Sequence, residues 1–134
     1  MSVTHLLDTS WLIRHLRGAT AYTQTIHNIG ASQLAVSIVS VAELYEGVFR
    51  SSRRADAERA LALALTSITI IPIDDPICRL FGEHRARLRQ SNQLIGDVDL
   101  LIAATCLHHA VPVLTTNPAH FQRIPGLAII SAPF

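Results

Sequence analysis

Residues 6–16 read LLDTSWLIRHL. A short β-like run, Val3 to Leu7, ends on two leucines, a carboxylate follows at Asp8, and Thr9 to Leu16 takes up helical spacing. Working outward, the same order of strand, polar residue and helix recurs. Gln33 to Ser37 reads as a strand before a helix from Val41 to Arg50. Ile68 to Ile73 is a β-branched strand closed by the Asp74-Asp75-Pro76 turn, with a helix from Ile77 to Gln90 behind it. Val113 to Thr115 is a strand before a short helix, Pro118 to Arg123, and Leu127 to Ile130 is a last strand. Ala19 to Ile29 (ended by Gly30), Arg54 to Leu65 and Val98 to His109 are further helices, and Ser91 to Gly96 is a polar loop. Strands alternating with helices predict parallel pairing, right-handed crossovers and helices on both faces of the sheet. The expected fold is a three-layer α/β/α domain with a central parallel sheet, one unit over residues 1–134.

Nearly half of the 134 residues are apolar, yet no apolar run approaches the roughly 20 residues that span a bilayer. No basic segment followed by an apolar one opens the chain, so no signal peptide is expected. Cys78 and Cys106 lie in helical apolar patterns without metal-type spacing, and read as reduced core residues of a cytoplasmic protein. The net charge of +1 does not by itself announce a nucleic-acid binder. All eleven basic residues, however, are arginines. Arg50, Arg53, Arg54 and Arg59 form one group and Arg85, Arg87 and Arg89 another, and their planar guanidinium groups suit phosphate. Solvated helix faces account for the same arginines.

The polar residues that follow the strands carry the chemistry. Asp8 opens the first helix, Glu43 lies just after the second strand, Asp97 and Asp99 open the helix at Leu100, and Asn117 follows the strand Val113-Leu114-Thr115. Each has a capping explanation. Asp8 and Asp97 are acceptable N-caps, Ser40-x-x-Glu43 has the form of a capping box, and Asn117-Pro118 reads as N-cap and N1. Asp74 and Asp75 are read as structural in the same way. Together the other acids say more, because parallel sheets bind ligands at the carboxyl ends of their strands. Carboxylates gathered there repel one another unless a cation neutralises them. Oxygen ligands without His or Cys suit Mg²⁺ or Mn²⁺. The seven histidines form no zinc motif.

The stretch 94-LIGDVDLLIAATC-106 separates two of these acids. On a helix Asp97 and Asp99 lie about 200° apart. Asp99 shares a stripe with Ile102, Ala103 and Cys106 and is expected to face inward, whereas Asp97 is placed at the cap.

At these residues the chain resembles PIN-domain proteins, and among them the VapC-type toxins of bacterial toxin–antitoxin pairs. The matching segments are Leu6-Leu7-Asp8-Thr9-Ser10, Ala42-Glu43-Leu44 with Gly47, Ile95-Gly96-Asp97-Val98-Asp99-Leu100-Leu101-Ile102-Ala103-Ala104, Leu114-Thr115-Thr116-Asn117 with His120-Phe121, and Ile124-Pro125-Gly126-Leu127. The resemblance implies a metal-dependent endoribonuclease whose Asp8, Glu43 and Asp99 match the family's acidic triad. Asp97 is an additional acid, and Asn117 takes a fourth position that holds Asp or Asn in the family. Mg²⁺ held by these acids, with Mn²⁺ as a substitute, would activate water against RNA. Ser10 and Thr115 would support the site, and Arg50, Arg53, Arg54, Arg85 and Arg89 would hold the RNA backbone. A small VapB-like antitoxin and a homodimer are implied as partners, with no membrane association. The apolar surface around Val48-Phe49 and Leu61-Leu65 is where such a partner is expected to sit.

Two other functions compete. A Mg²⁺-dependent phosphate-handling enzyme on a flavodoxin-like sheet would want a DxDx motif after the first strand, or a Lys near the site. Here Asp8 is followed by Thr9-Ser10, and the chain has no Lys. A catalytically silent PIN-like module that binds protein or RNA would use the acids only as caps.

Overall fold

The computed structural model describes residues 2–134. Five strands form one all-parallel sheet: β1 (His5–Leu7), β2 (Leu34–Ser37), β3 (Thr69–Ile71), β4 (Val113–Leu114) and β5 (Ile129–Ile130), in the order β3-β2-β1-β4-β5. Seven helices connect them: α1 (Thr9–Leu16), α2 (Thr20–Ile29), α3 (Ile38–Arg50), α4 (Arg54–Leu65), α5 (Asp75–Gln90), α6 (Asp97–His109) and α7 (Pro118–Phe121). The expected α/β class and parallel pairing are both present.

The two-residue period of a strand divides its side chains between two cores. Leu6 is in register with Ala35 and Val113, and all three meet α5, α6 and α7 through Ile77, Leu88, Ile102 and Phe121. Leu7 is in register with Val36 and Leu114, which meet α1 to α4 through Trp11, Leu12, Leu44 and Leu61. Because both faces are covered, β2 is buried along its whole length, and Leu34-Ala35-Val36 form an apolar run before Ser37. The strand order reverses direction at β1: the chain leaves it for β2 and β3 on one side and returns to β4 and β5 on the other. The carboxyl ends of β1 and β4 therefore form the switch point, where a crevice opens in such sheets.

Several local expectations change. α3 starts at Ile38, directly after β2, so Ser37 is its cap and accepts the Val39 N–H at 3.2 Å. Ser40 lies inside the helix and is fully buried, and the Ser40–Glu43 capping box does not form. α6 starts at Asp97 with Gly96 in the cap position, so Asp97 is not the cap. Asp8 and Asn117 do hold cap positions, but neither side chain makes a capping bond. Asp74 does cap, accepting the Ile77 N–H at 3.3 Å. Cys78 is exposed, off the buried Ile77–Leu88 stripe of α5, and only Cys106 is a core thiol. Val48 and Leu61 are buried between α3 and α4, leaving Phe49 and Leu63 as the exposed large apolar residues of the Val48-Phe49 and Leu61–Leu65 stretches. Among the described residues no helix is long and apolar enough to cross a membrane.

Candidate active site

Asp8 stands at the carboxyl end of β1, and only 3% of its surface is exposed. Such burial is costly for a carboxylate unless its oxygens are satisfied. Two hydroxyls converge on Oδ2: Thr115 Oγ1, from the end of β4, donates at 2.7 Å, and Ser10 Oγ, from the first turn of α1, donates at 2.8 Å. These hydroxyls are themselves fixed. Ser10 Oγ accepts the Thr116 N–H at 3.1 Å, and Thr115 Oγ1 accepts the Asn117 N–H at 3.0 Å. The switch point is thus closed by side chains from both strands.

Burial pushes the Asp8 carboxyl above the ordinary carboxylate range, and the negative charge of Asp99 pushes it further. The two hydroxyl bonds oppose this but do not cancel it. Among the described residues no cationic side chain pairs with Asp8. Directly below, burial and the Asp8 charge raise the Cys106 thiol far above its usual range, so it stays protonated.

The other acids are held separately. Glu43 projects from the second turn of α3, and Thr9 Oγ1 stands 2.6 Å from its Oε1 and 2.8 Å from Ser40 Oγ. Thr9 has one hydroxyl proton, which goes to the carboxylate as the stronger acceptor. Asp99, half-buried on the first turn of α6, meets His120 Nδ1 of α7 at 2.7 Å. Its expected inward stripe is real in that Ile102, Ala103 and Cys106 are buried. The helix is buried on most of its sides, however, between α5 and α3, so one stripe does not define its inside. Asp97 is exposed and accepts from Arg85 Nε at 3.0 Å. Asn117 is exposed, beside Thr115 in sequence.

The arginines divide in a similar way. Arg50 pairs with Glu46 and Arg53 with Asp56, while Arg54 lies over the Phe49 ring and donates to the Phe49 carbonyl. All three belong to the α3–α4 corner. Arg85 reaches the start of α6 through Asp97, and Arg89 is exposed further along α5. Thr9 and His120, each bonded to one of the acids, lie in the segments that resemble the family, but the sequence reading gives neither of them a role. Thr9 follows Asp8 directly, which is the one local sign of its role.

Among the described residues no three His, Cys, Asp or Glu side chains form a ready-made metal cage. The donor chemistry nevertheless fits a hard divalent ion. Carboxylate and hydroxyl oxygens surround the switch point, and the charge of Asp99 acts on Asp8. Mg²⁺ typically keeps several waters and takes only one or two carboxylates, so a full protein cage is not required.

The PIN domain family model matches residues 5–127, nearly the whole chain. This chain belongs to the PIN domain family. Among curated proteins, this PIN domain is 37% identical over 123 residues to Ribonuclease VapC10 of Mycobacterium tuberculosis, covering 91% of this chain and 89% of that one. It is 32% identical over 96 residues to Ribonuclease VapC2 of Rickettsia felis, covering 72% of each. Among solved structures, it superposes on a chain of the Rickettsia felis VapBC2 complex bound to a promoter DNA fragment. The TM-score is 0.88 at 26% identity, over 96% of this chain and 98% of that one. VapC-type PIN nucleases are metal-dependent as a class.

Proposed function

We propose that residues 1–134 form a single PIN-type endoribonuclease unit, a cytoplasmic toxin that hydrolyses RNA phosphodiester bonds with Mg²⁺ and is neutralised by a small VapB-like antitoxin. Mn²⁺ is the expected substitute ion. The observation that carries this reading is Asp8: a buried carboxylate at the switch point, with Asp99 acting on its charge and no cation paired to it among the described residues. A structural cap would make capping bonds and would not need burial, and Asp8 does the opposite.

In this reading Asp8, Glu43 and Asp99 hold the ion, with Asp97 as an outer acid at the rim. Once bound, the ion supplies Lewis-acid polarisation of the phosphodiester and activation of the attacking water. Ser10 and Thr115 orient Asp8, and Thr9 orients Glu43. Asn117 stands beside Thr115 as a neutral fourth position, which adds no charge for a second ion. Arg85 and Arg89 face the RNA backbone from α5, and Arg50, Arg53 and Arg54 extend the path at the α3–α4 corner. Binding through phosphates of this kind weakens steeply with salt.

The antitoxin is assigned to the groove between α1, α3 and α4. Leu16, Leu44, Gly47, Val48, Ala57 and Leu61 line a cavity of about 310 Å³ there, together with Glu43 and Arg17. Its apolar floor fits an amphipathic segment. A homodimer is part of the same proposal.

The test is RNA cleavage in Mg²⁺, in EDTA, and by the Asp8→Asn and Asp99→Asn variants. Cleavage is expected only for the unaltered chain with metal. Full activity in EDTA, or in both variants, would overturn the metal mechanism.

A further inference from the structure

His120 lies in α7, and the next residue, Phe121, is fully buried and pins this short helix to the core. The imidazole is about half exposed, yet its Nδ1 stands 2.7 Å from Asp99 Oδ2, across a separation of 21 residues. Asp99 Oδ1 makes no protein hydrogen bond among the described residues. Neither group is buried enough to need the other, since water reaches both and would satisfy each of them. The bond therefore adds orientation rather than compensation for burial.

That orientation matters for a short carboxylate on the first turn of a helix. Two side-chain torsions decide where its oxygens point. An N–H donor anchored on a different element removes that freedom from one oxygen and leaves the other available. Metal sites use such outer partners to fix the ligand and raise its affinity for the ion.

We propose that His120 is a positioning residue that holds Asp99 in its metal-binding orientation by donating from Nδ1. This rests on the reading of Asp99 as a metal ligand. The histidine touches neither ion nor RNA in this role; it acts through Asp99. It needs only the N–H, which the imidazole supplies either as the Nδ1–H tautomer or as the cation.

Mn²⁺ binding to the full chain, followed by calorimetry without RNA, tests it in the unaltered protein, His120→Ala and His120→Asn. The Asn side chain keeps an N–H donor at a similar reach. The Ala variant is expected to bind Mn²⁺ roughly 10- to 100-fold more weakly, the usual cost of losing an outer partner. The Asn variant is expected to recover most of that loss. Unfolding temperatures in EDTA are expected to agree across all three proteins, which separates positioning from packing. An Ala variant that binds as the unaltered chain does would overturn the proposal. So would an Asn variant no better than Ala. If the unaltered chain binds no Mn²⁺, the underlying metal-site reading fails, and this inference fails with it.

Discussion

The Thr115 hydroxyl, at the end of β4, donates to the carboxylate of Asp8, at the end of β1, across 2.7 Å. These two strands are neighbours in the sheet but lie more than a hundred residues apart in the chain. The bond spans the point where the strand order reverses, and it holds the most buried acid of the site. A charge placed there serves binding at some cost to stability.

That trade-off predicts opposite effects for one substitution. Asp8→Asn keeps an oxygen to accept from Ser10 and Thr115, and it removes a charge that burial and Asp99 both disfavour. RNA cleavage is expected to fall by roughly 10²-fold or more, given the several kcal/mol that a bound ion supplies to such reactions. The unfolding temperature in EDTA is expected to stay level or rise. Loss of activity together with a lower melting temperature would point to a structural role instead.

Thr9 offers a second separation. Thr9→Val keeps the shape but deletes the hydroxyl that holds Glu43 and touches Ser40. A stability cost of about 1 kcal/mol is expected for the lost bond. Metal affinity is expected to drop roughly 10- to 100-fold, in line with other outer partners. Thr9→Ser restores the hydroxyl and should restore affinity, as Mn²⁺ titration of the three proteins would show.

His15 gives the chain a measurable acid sensitivity. Burial lowers its pKa from 6.5, the nearby His27 lowers it further, and Nδ1 shares a hydrogen bond of 2.7 Å with Thr23 Oγ1. The folded state therefore binds fewer protons here than the unfolded state does. Its contribution is complete above the unfolded value of 6.5 and is lost as pH falls through the lowered folded value. Thermal melts across roughly pH 5 to 8 should show His15→Gln losing less stability on acidification than the unaltered chain.

Gly47 separates folding from partner binding. It lies inside α3 on the wall of the apolar groove, and a Cβ placed there meets no atom within 4 Å. Gly47→Ala is expected to stabilise the chain by about 1 kcal/mol through helix propensity, read by urea unfolding. Gly47→Trp is expected to fold, fill the groove and weaken antitoxin binding by at least an order of magnitude in calorimetry. Undiminished binding would place the antitoxin elsewhere.

Much of this was legible in the sequence. LLDTSWLIRHL contains a strand, an acid and a helix in eleven residues, and the structure keeps β1 and α1 on either side of Asp8. α4 runs over the expected Arg54–Leu65, because an Ala/Leu-rich stretch with interspersed charge is a strong helix former. The caps were less legible. Ser37 and Ser40 are equally good caps by residue type, and only the end of β2 decides between them. α6 misleads for another reason: it is apolar around most of its circumference, so periodicity cannot say which side of it meets the site.

The sequence by itself determined the alternation of strands and helices and the gathering of polar residues after the strands, because periodicity and composition are properties of neighbouring residues. Only the tertiary structure decided that Thr9 holds Glu43, that His120 meets Asp99 and that Asp97 turns to Arg85. Those bonds join different helices, 12 to 34 residues apart in the chain, and their geometry depends on how α1, α3, α5, α6 and α7 pack around a sheet whose order reverses at β1.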